Sequence, residues 1–352
     1  TKDSEWYRAN KDNPDLVAEG LQIAEDALLG AATNVHVQAQ ACKDRNKGDA
    51  VKQVECRKMY ADAADLYEKY LTVYPNSKKT YEFSEYYADA LYYAGKLPEA
   101  IKAYTAVRDS ALDNKYQEEA AMMIIKSYED TIEQMKADKK LEDPPIPDEK
   151  NTKPPVTPLA MPEVYQKFAA SLDWFVKHLP HNPRVPDLRY AAAVLQLRYR
   201  NWPESRRRLQ EVADLSCATK PEAGFKAYEA ILATYFIDFS IEDEEAKDCA
   251  LGKLLMVADQ FGESACGKSP KATDYIARFN TIKSTVKAAV ITKRLTLALE
   301  NEEKGTNKQL TQCREVGGIA IVTGTAPAPG AAPGATPAAG GASKVSTEVD
   351  IG

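Results

Sequence analysis

Between Pro14 and Lys304, apolar side chains recur at steps of three and four, the spacing that lines up one face of an α-helix. Leu16, Ile23, Ala27 and Leu28 open the pattern just after Asn13-Pro14. That pair suits a helix start, because Asn caps free N–H groups and Pro is tolerated in the first turn. Alternation with a period of two is scarce until Gly317–Val322, which predicts one short strand. A chain made almost entirely of amphipathic helices must bury its stripes helix on helix, so the pattern predicts an all-α fold.

The helical rhythm is broken once. Seven prolines fall between Pro144 and Pro162, and Lys136 to Lys153 is highly charged. Such a stretch cannot be a helix interior and predicts an extended loop or semi-rigid spacer inserted within the helical array. From Gly324 to Lys344 the chain is rich in Ala, Pro and Gly without periodicity, which predicts disorder. The expected organisation is helical repeats over residues 14–136, a Pro-rich charged insertion over 137–162, helical repeats over 163–304, and a flexible low-complexity tail over 305–352.

Internal repetition strengthens the pattern. Tyr67 and Tyr104 lie 37 residues apart, as do Leu91 and Tyr128. Tyr74-Pro75-Asn76-Ser77 ends one unit, and the next carries the turn Gly95-Lys96-Leu97-Pro98-Glu99-Ala100. Tyr199 to Ser205 echoes Ala94 to Ala100, with Val212 and Asp214 matching Val107 and Asp109. In these features the chain resembles the tetratricopeptide repeat (TPR) family, whose unit is a helix–turn–helix of about 34 residues. Ala88, Gly95, Ala100 and Tyr104 occupy the family's small, turn, small and aromatic positions, and Pro75 closes the preceding unit. The match is tightest from Tyr60 to Tyr128. Near Tyr199, Arg200 or Asn201 replaces the turn Gly, and Ser205 replaces the small residue of the second helix.

The resemblance implies a TPR-like solenoid of helical hairpins in which Ala88 and Ala100 permit close approach, Gly95 takes the turn and Tyr104 packs between repeats. It also implies a partner groove lined by first-helix positions, here Glu82, Glu85, Asp89 and Tyr92, with Tyr93 beside them. Repeats that grip acidic peptide termini carry Lys and Asn at such positions. The acids found here imply a basic or neutral peptide or helix as ligand. The Tyr-Pro-Asn-Ser ending and the tyrosine-rich helices look most like TPR proteins of the Gram-negative envelope. That likeness implies a place in the periplasm or at the outer membrane, with a cytoplasmic location as the alternative.

Charge and cysteine usage change the picture little. The formal net charge of −6 lacks the basic footprint of a nucleic-acid binder. No apolar run approaches the ~20 residues of a membrane span; Ala288–Leu299 is interrupted by Lys293 and Arg294, so any envelope association is expected to be peripheral. The opening Thr1-Lys2-Asp3-Ser4-Glu5 is polar and has no signal-peptide pattern. Six cysteines contain no Cys-x-x-Cys pair, and three histidines are too few and too scattered to complete a zinc site. Buried thiols and disulfides both stay open. Cys42 and Cys56 flank a polar hairpin turn, and Cys217 and Cys266 each follow a second helix, so both pairs are placed to meet.

Candidate chemistry is sparse. Gly262 to Ser269 fits the spacing of a phosphate-binding P-loop, which needs a buried strand before it. The preceding Ala246–Phe261 reads as an amphipathic helix, so an inter-helix turn is expected instead. His178 and His181 flank Pro180 with no third ligand nearby, and a helix C-terminus is the expected role. Arg198, Arg200, Arg206, Arg207 and Arg208 form a basic cluster that would dock an acidic surface or simply be solvated. No nucleophile–base set, zinc-protease motif or dinucleotide fingerprint is present. The sequence therefore predicts a non-catalytic protein–protein interaction scaffold without cofactor or metal. The alternatives are an accessory or tethering component of a Gram-negative motility, secretion or outer-membrane machine and, from the Gly262 motif alone, a nucleotide-binding protein.

Overall fold

The structure is a computed structural model that describes residues 4–148, 150–240, 242–306, 311–316 and 319–325. A short helix α1 (Glu5–Asn10) leads into α2 (Pro14–Arg45), α3 (Ala50–Val73), α4 (Thr80–Tyr93), α5 (Leu97–Arg108) and α6 (Gln117–Ala137). After the insertion come α7 (Glu163–His178), α8 (Val185–Arg198), α9 (Trp202–Ser216), α10 (Pro221–Phe239), α11 (Glu244–Glu263) and α12 (Thr273–Lys304). From α2 to α12 each helix packs on the next in the chain, which makes an all-α solenoid of helical hairpins.

Local chemistry sets the helix starts. Asn13 caps α2 by accepting from the Leu16 N–H, and Asp49 caps α3 through Val51 and Lys52. Helices α2, α5, α8, α9 and α10 carry Pro in the first turn, where its missing N–H costs nothing. Gly95 turns the chain between α4 and α5 at φ 80°, and Arg200 makes the matching turn between α8 and α9 at φ 60°.

Small residues bring the helices together. Ala63, Ala88, Ala100 and Ala120 are fully buried in one core with Tyr67 and Tyr104. A second core joins α8 to α12 around Leu209, Phe225, Leu254 and Phe261. The Phe261 ring stacks on Phe279 at 3.8 Å, which ties α11 to α12.

Two disulfides staple the hairpins. Cys42–Cys56 joins α2 to α3, and Cys217–Cys266 joins the end of α9 to the segment after α11. Cys249 on α11 is disulfide-bonded as well. Gly224 is required beside the second bridge, because a Cβ there would lie 2.4 Å from the Cys266 sulfur and 2.6 Å from that of Cys217. Gly224→Ala is therefore expected to lower unfolding stability by about 1–3 kcal/mol, despite the higher helix propensity of Ala. Chemical denaturation checks this, and a stabilised variant would mean the bridge yields readily.

The insertion between α6 and α7 is held at several points. Asp143 accepts from Lys136 and Arg198, each at 2.6 Å, and from Tyr165. The Leu159 N–H donates to the Tyr199 carbonyl at 2.9 Å. Val156 packs on Leu197, Trp202 and Ile237, so the insertion lies across α8–α10. Near the end of the described chain, β1 (Thr311–Val316) pairs antiparallel with β2 (Ile319–Thr325) in a hairpin that contacts α11. The sequence had placed one strand here and assigned its surroundings to the tail. Thr and Val in β1, and Ile, Val and Thr in β2, favour the extended backbone of the paired strands. The run over 326–352, which holds most of the expected low-complexity stretch, lies outside the described residues.

Candidate partner-binding groove

The turn ends of α2–α3 and α4–α5, together with α6, enclose an open cavity of about 610 Å³. Tyr60, Tyr92 and Tyr93 line it with Lys43, Arg57 and Asp130. The Tyr60 and Tyr93 rings lie 5.1 Å apart, and the Lys43 ammonium sits 3.6 Å from the centre of the Tyr93 ring. A cation over an aromatic face at that distance holds both groups in place. The Tyr92 hydroxyl donates to Asp130 at 2.6 Å, and Asp130 also accepts from Lys126 at 2.7 Å. Burial and these acidic neighbours push the Tyr92 hydroxyl well above its usual pKa, so it stays a neutral donor. The wall combines rigid aromatic area with polar tips, the composition favoured at protein interfaces.

The five residues expected along the groove separate in the structure. Tyr92 and Tyr93 meet in the cavity. Glu82, about three turns N-terminal on α4, accepts from the Tyr86 hydroxyl at 3.0 Å and from that of Tyr116 at 3.3 Å. Half-buried Asp89 accepts from Tyr104 at 2.5 Å. Burial raises the Asp89 pKa, and the Tyr104 hydrogen bond opposes that rise. Glu85 is 2% exposed, and neither of its carboxylate oxygens has a hydrogen-bond partner. Burial, then Asp89 and Glu119, push its carboxyl up to about 8. Glu85 is thus a core group, because the helices packed on α4 cover it.

The remaining named residues also find places. Ala88, Ala100 and Tyr104 are fully buried between helices, and Gly95 is exposed at the turn. Most of the basic cluster is neutralised. Arg198 pairs with Asp143, Arg206 with Asp238, Arg207 with Glu204 and Glu211, and Arg208 with Asp173 and Glu204. Arg200 stands apart from these pairs. His178 closes α7, stacks on Trp174 at 4.2 Å and has its Nδ1 2.8 Å from the Trp174 carbonyl. The Gly262–Ser269 segment starts in the last turn of helix α11 rather than after a strand, Ser264 is the C-cap of that helix and Cys266 is held in the Cys217 bridge. Among the described residues no His, Cys, Asp and Glu cluster is arranged to hold a metal, and no helix is long and apolar enough to cross a membrane.

Lys43 and His36 belong to the groove region but were not singled out by sequence. Helix α2 runs past the expected turn to Arg45, which carries Lys43 onto the helix. His36 lies within 6.4 Å of the Tyr60, Tyr67 and Tyr86 rings, and its Nδ1 is 3.1 Å from the Tyr67 hydroxyl. Burial, then Lys43, lowers its pKa and favours the neutral ring. Of the residues expected along the groove, Tyr92 and Tyr93 were the ones that pointed to this cavity. No protein-family model matches this chain, and no curated protein matches it in sequence.

Proposed function

We propose that this chain is a non-catalytic scaffold of TPR type that holds a partner protein in the Tyr60–Tyr92–Tyr93 cavity. The observation that carries the reading is the cavity itself, an aromatic wall with pre-positioned polar tips where three successive hairpins meet. Lys43 and Arg57 balance Asp130 and Glu133 on its rim. The partner is accordingly a near-neutral or mildly basic segment that inserts an apolar or aromatic side chain. The disulfides support an oxidising compartment, and with it the cell-envelope reading of the sequence. A role as an accessory or tethering part of a larger envelope machine uses the same groove.

Affinity capture from envelope and soluble extracts, comparing wild type with Tyr93→Ala and Arg57→Glu, tests the proposal. Loss of an anchoring tyrosine is expected to weaken a specific partner by about tenfold or more. Arg57→Glu changes an exposed position, so it separates a binding loss from a folding defect. Equal capture by all three proteins would place the interaction elsewhere on the solenoid.

A further inference from the structure

A second cavity, of about 340 Å³, lies where the insertion crosses the α8–α9 turn. Its walls are largely apolar, with Pro154, Pro155, Val156 and Pro158 facing Trp202 and Ala250. Its unpartnered polar groups are of one kind. Arg200 takes the left-handed backbone conformation that Gly95 takes in the α4–α5 turn, a strained choice for a residue with a Cβ. Its guanidinium makes no hydrogen bond or ion pair with the described residues, and its Nε is buried without a partner. Trp202, 6% exposed, likewise leaves its Nε1–H unpartnered. The Lys253 ammonium, on the α11 wall, is unpaired among the described residues. Helix α9 begins at Trp202 without a side-chain cap, because the Asn201 amide donates to Gln196 instead.

Buried donors without acceptors are costly, so this concentration needs an explanation. Every unmet group is a donor or a cation, and the N-terminus of α9 adds positive potential. The one acid on the lining, Asp238, is already ion-paired with Arg206. An occupant that satisfies the site must bring acceptor oxygens and negative charge on a small apolar body. We propose that this cavity binds a carboxylate carried on an apolar, ring-sized group. The carboxylate takes the Arg200 guanidinium, the Trp202 indole N–H and Lys253, and the apolar body packs among the prolines. The same chemistry is offered by a free aromatic acid and by the terminal residue of a polypeptide ending in Phe.

Isothermal titration of the full chain, supported by tryptophan fluorescence, distinguishes these sources. The probes are phenylacetate, phenylacetamide, acetate, and a short peptide ending in Phe with either a free or an amidated terminus. Phenylacetate or the free-terminus peptide is expected to bind, and whichever binds more tightly identifies the source. The uncharged amides and acetate are expected to be weaker by about tenfold or more, since each lacks the charge or the apolar body. Arg200→Gly restores the residue that the turn geometry favours, so it should fold while weakening the acid by a similar factor. Trp202→Phe keeps the apolar wall, removes the N–H and should abolish the fluorescence response. Absence of binding by both acids, or equal binding by Arg200→Gly, would overturn the proposal.

Discussion

Full reduction is expected to destabilise this protein more than any single side-chain substitution. The Cys42–Cys56 bridge spans 14 residues and Cys217–Cys266 spans 49. In the chain-entropy description these closures contribute roughly 3 and roughly 4 kcal/mol. The two act in different places, since the first closes one hairpin and the second fixes α9 against the segment that follows α11. In a solenoid, stability is local to neighbouring units, so each loss should appear in its own half of the molecule. Thermal melts with and without reductant, after thiol titration has shown complete reduction, give the combined effect of these two bridges and of the bond at Cys249. The paired variants Cys42→Ser with Cys56→Ser, and Cys217→Ser with Cys266→Ser, separate the contributions without leaving a lone thiol. Hydrogen exchange should then show faster opening of α2–α3 in the first pair and of α9–α11 in the second. Superimposable melts for oxidised and reduced protein would show that helix packing alone fixes the native state.

The parts of the fold that were legible in the sequence are those governed by local rules. Asn13-Pro14, Gly95 and the alanine positions act within one hairpin, and each sits where its chemistry requires. Which side of α4 a carboxylate occupies is another matter. Glu82, Glu85 and Asp89 share one stripe by spacing, yet the helices packed on α4 bury Glu85 and leave the others hydrogen-bonded to tyrosines. The arginine cluster was visible as a run of charge. Beyond the local pairs with Glu204 and Glu211, its neutralisation was not, because Asp143, Asp173 and Asp238 arrive from the insertion, α7 and α10. The unusual backbone of Arg200 was foreshadowed by the missing turn glycine, but its cavity exists only because the insertion folds back over α9.

The second large effect concerns pH and the buried carboxyl of Glu85. Its native pKa is raised from the ordinary 4.5 to about 8, chiefly by burial and then by Asp89 and Glu119. A carboxyl with a raised native pKa binds its proton more tightly when folded than when unfolded. It therefore has no effect on stability below the unfolded value, where both states are protonated. As pH rises from about 4.5 to about 8 the unfolded chain ionises first and stability falls, until both states are charged. Such a difference corresponds to roughly 3–5 kcal/mol lost across the window. The raised pKa of Asp89 acts in the same direction. Glu85→Gln removes the titration while keeping the shape. The variant should match wild type within about 1 kcal/mol at pH 5 and exceed it by several kcal/mol near pH 8.5. Urea denaturation of both proteins at the two pH values measures the difference directly. Parallel pH profiles would mean that water reaches Glu85 in the folded state, whereas convergence at low pH and divergence at high pH would establish an uncompensated acid at the heart of α4.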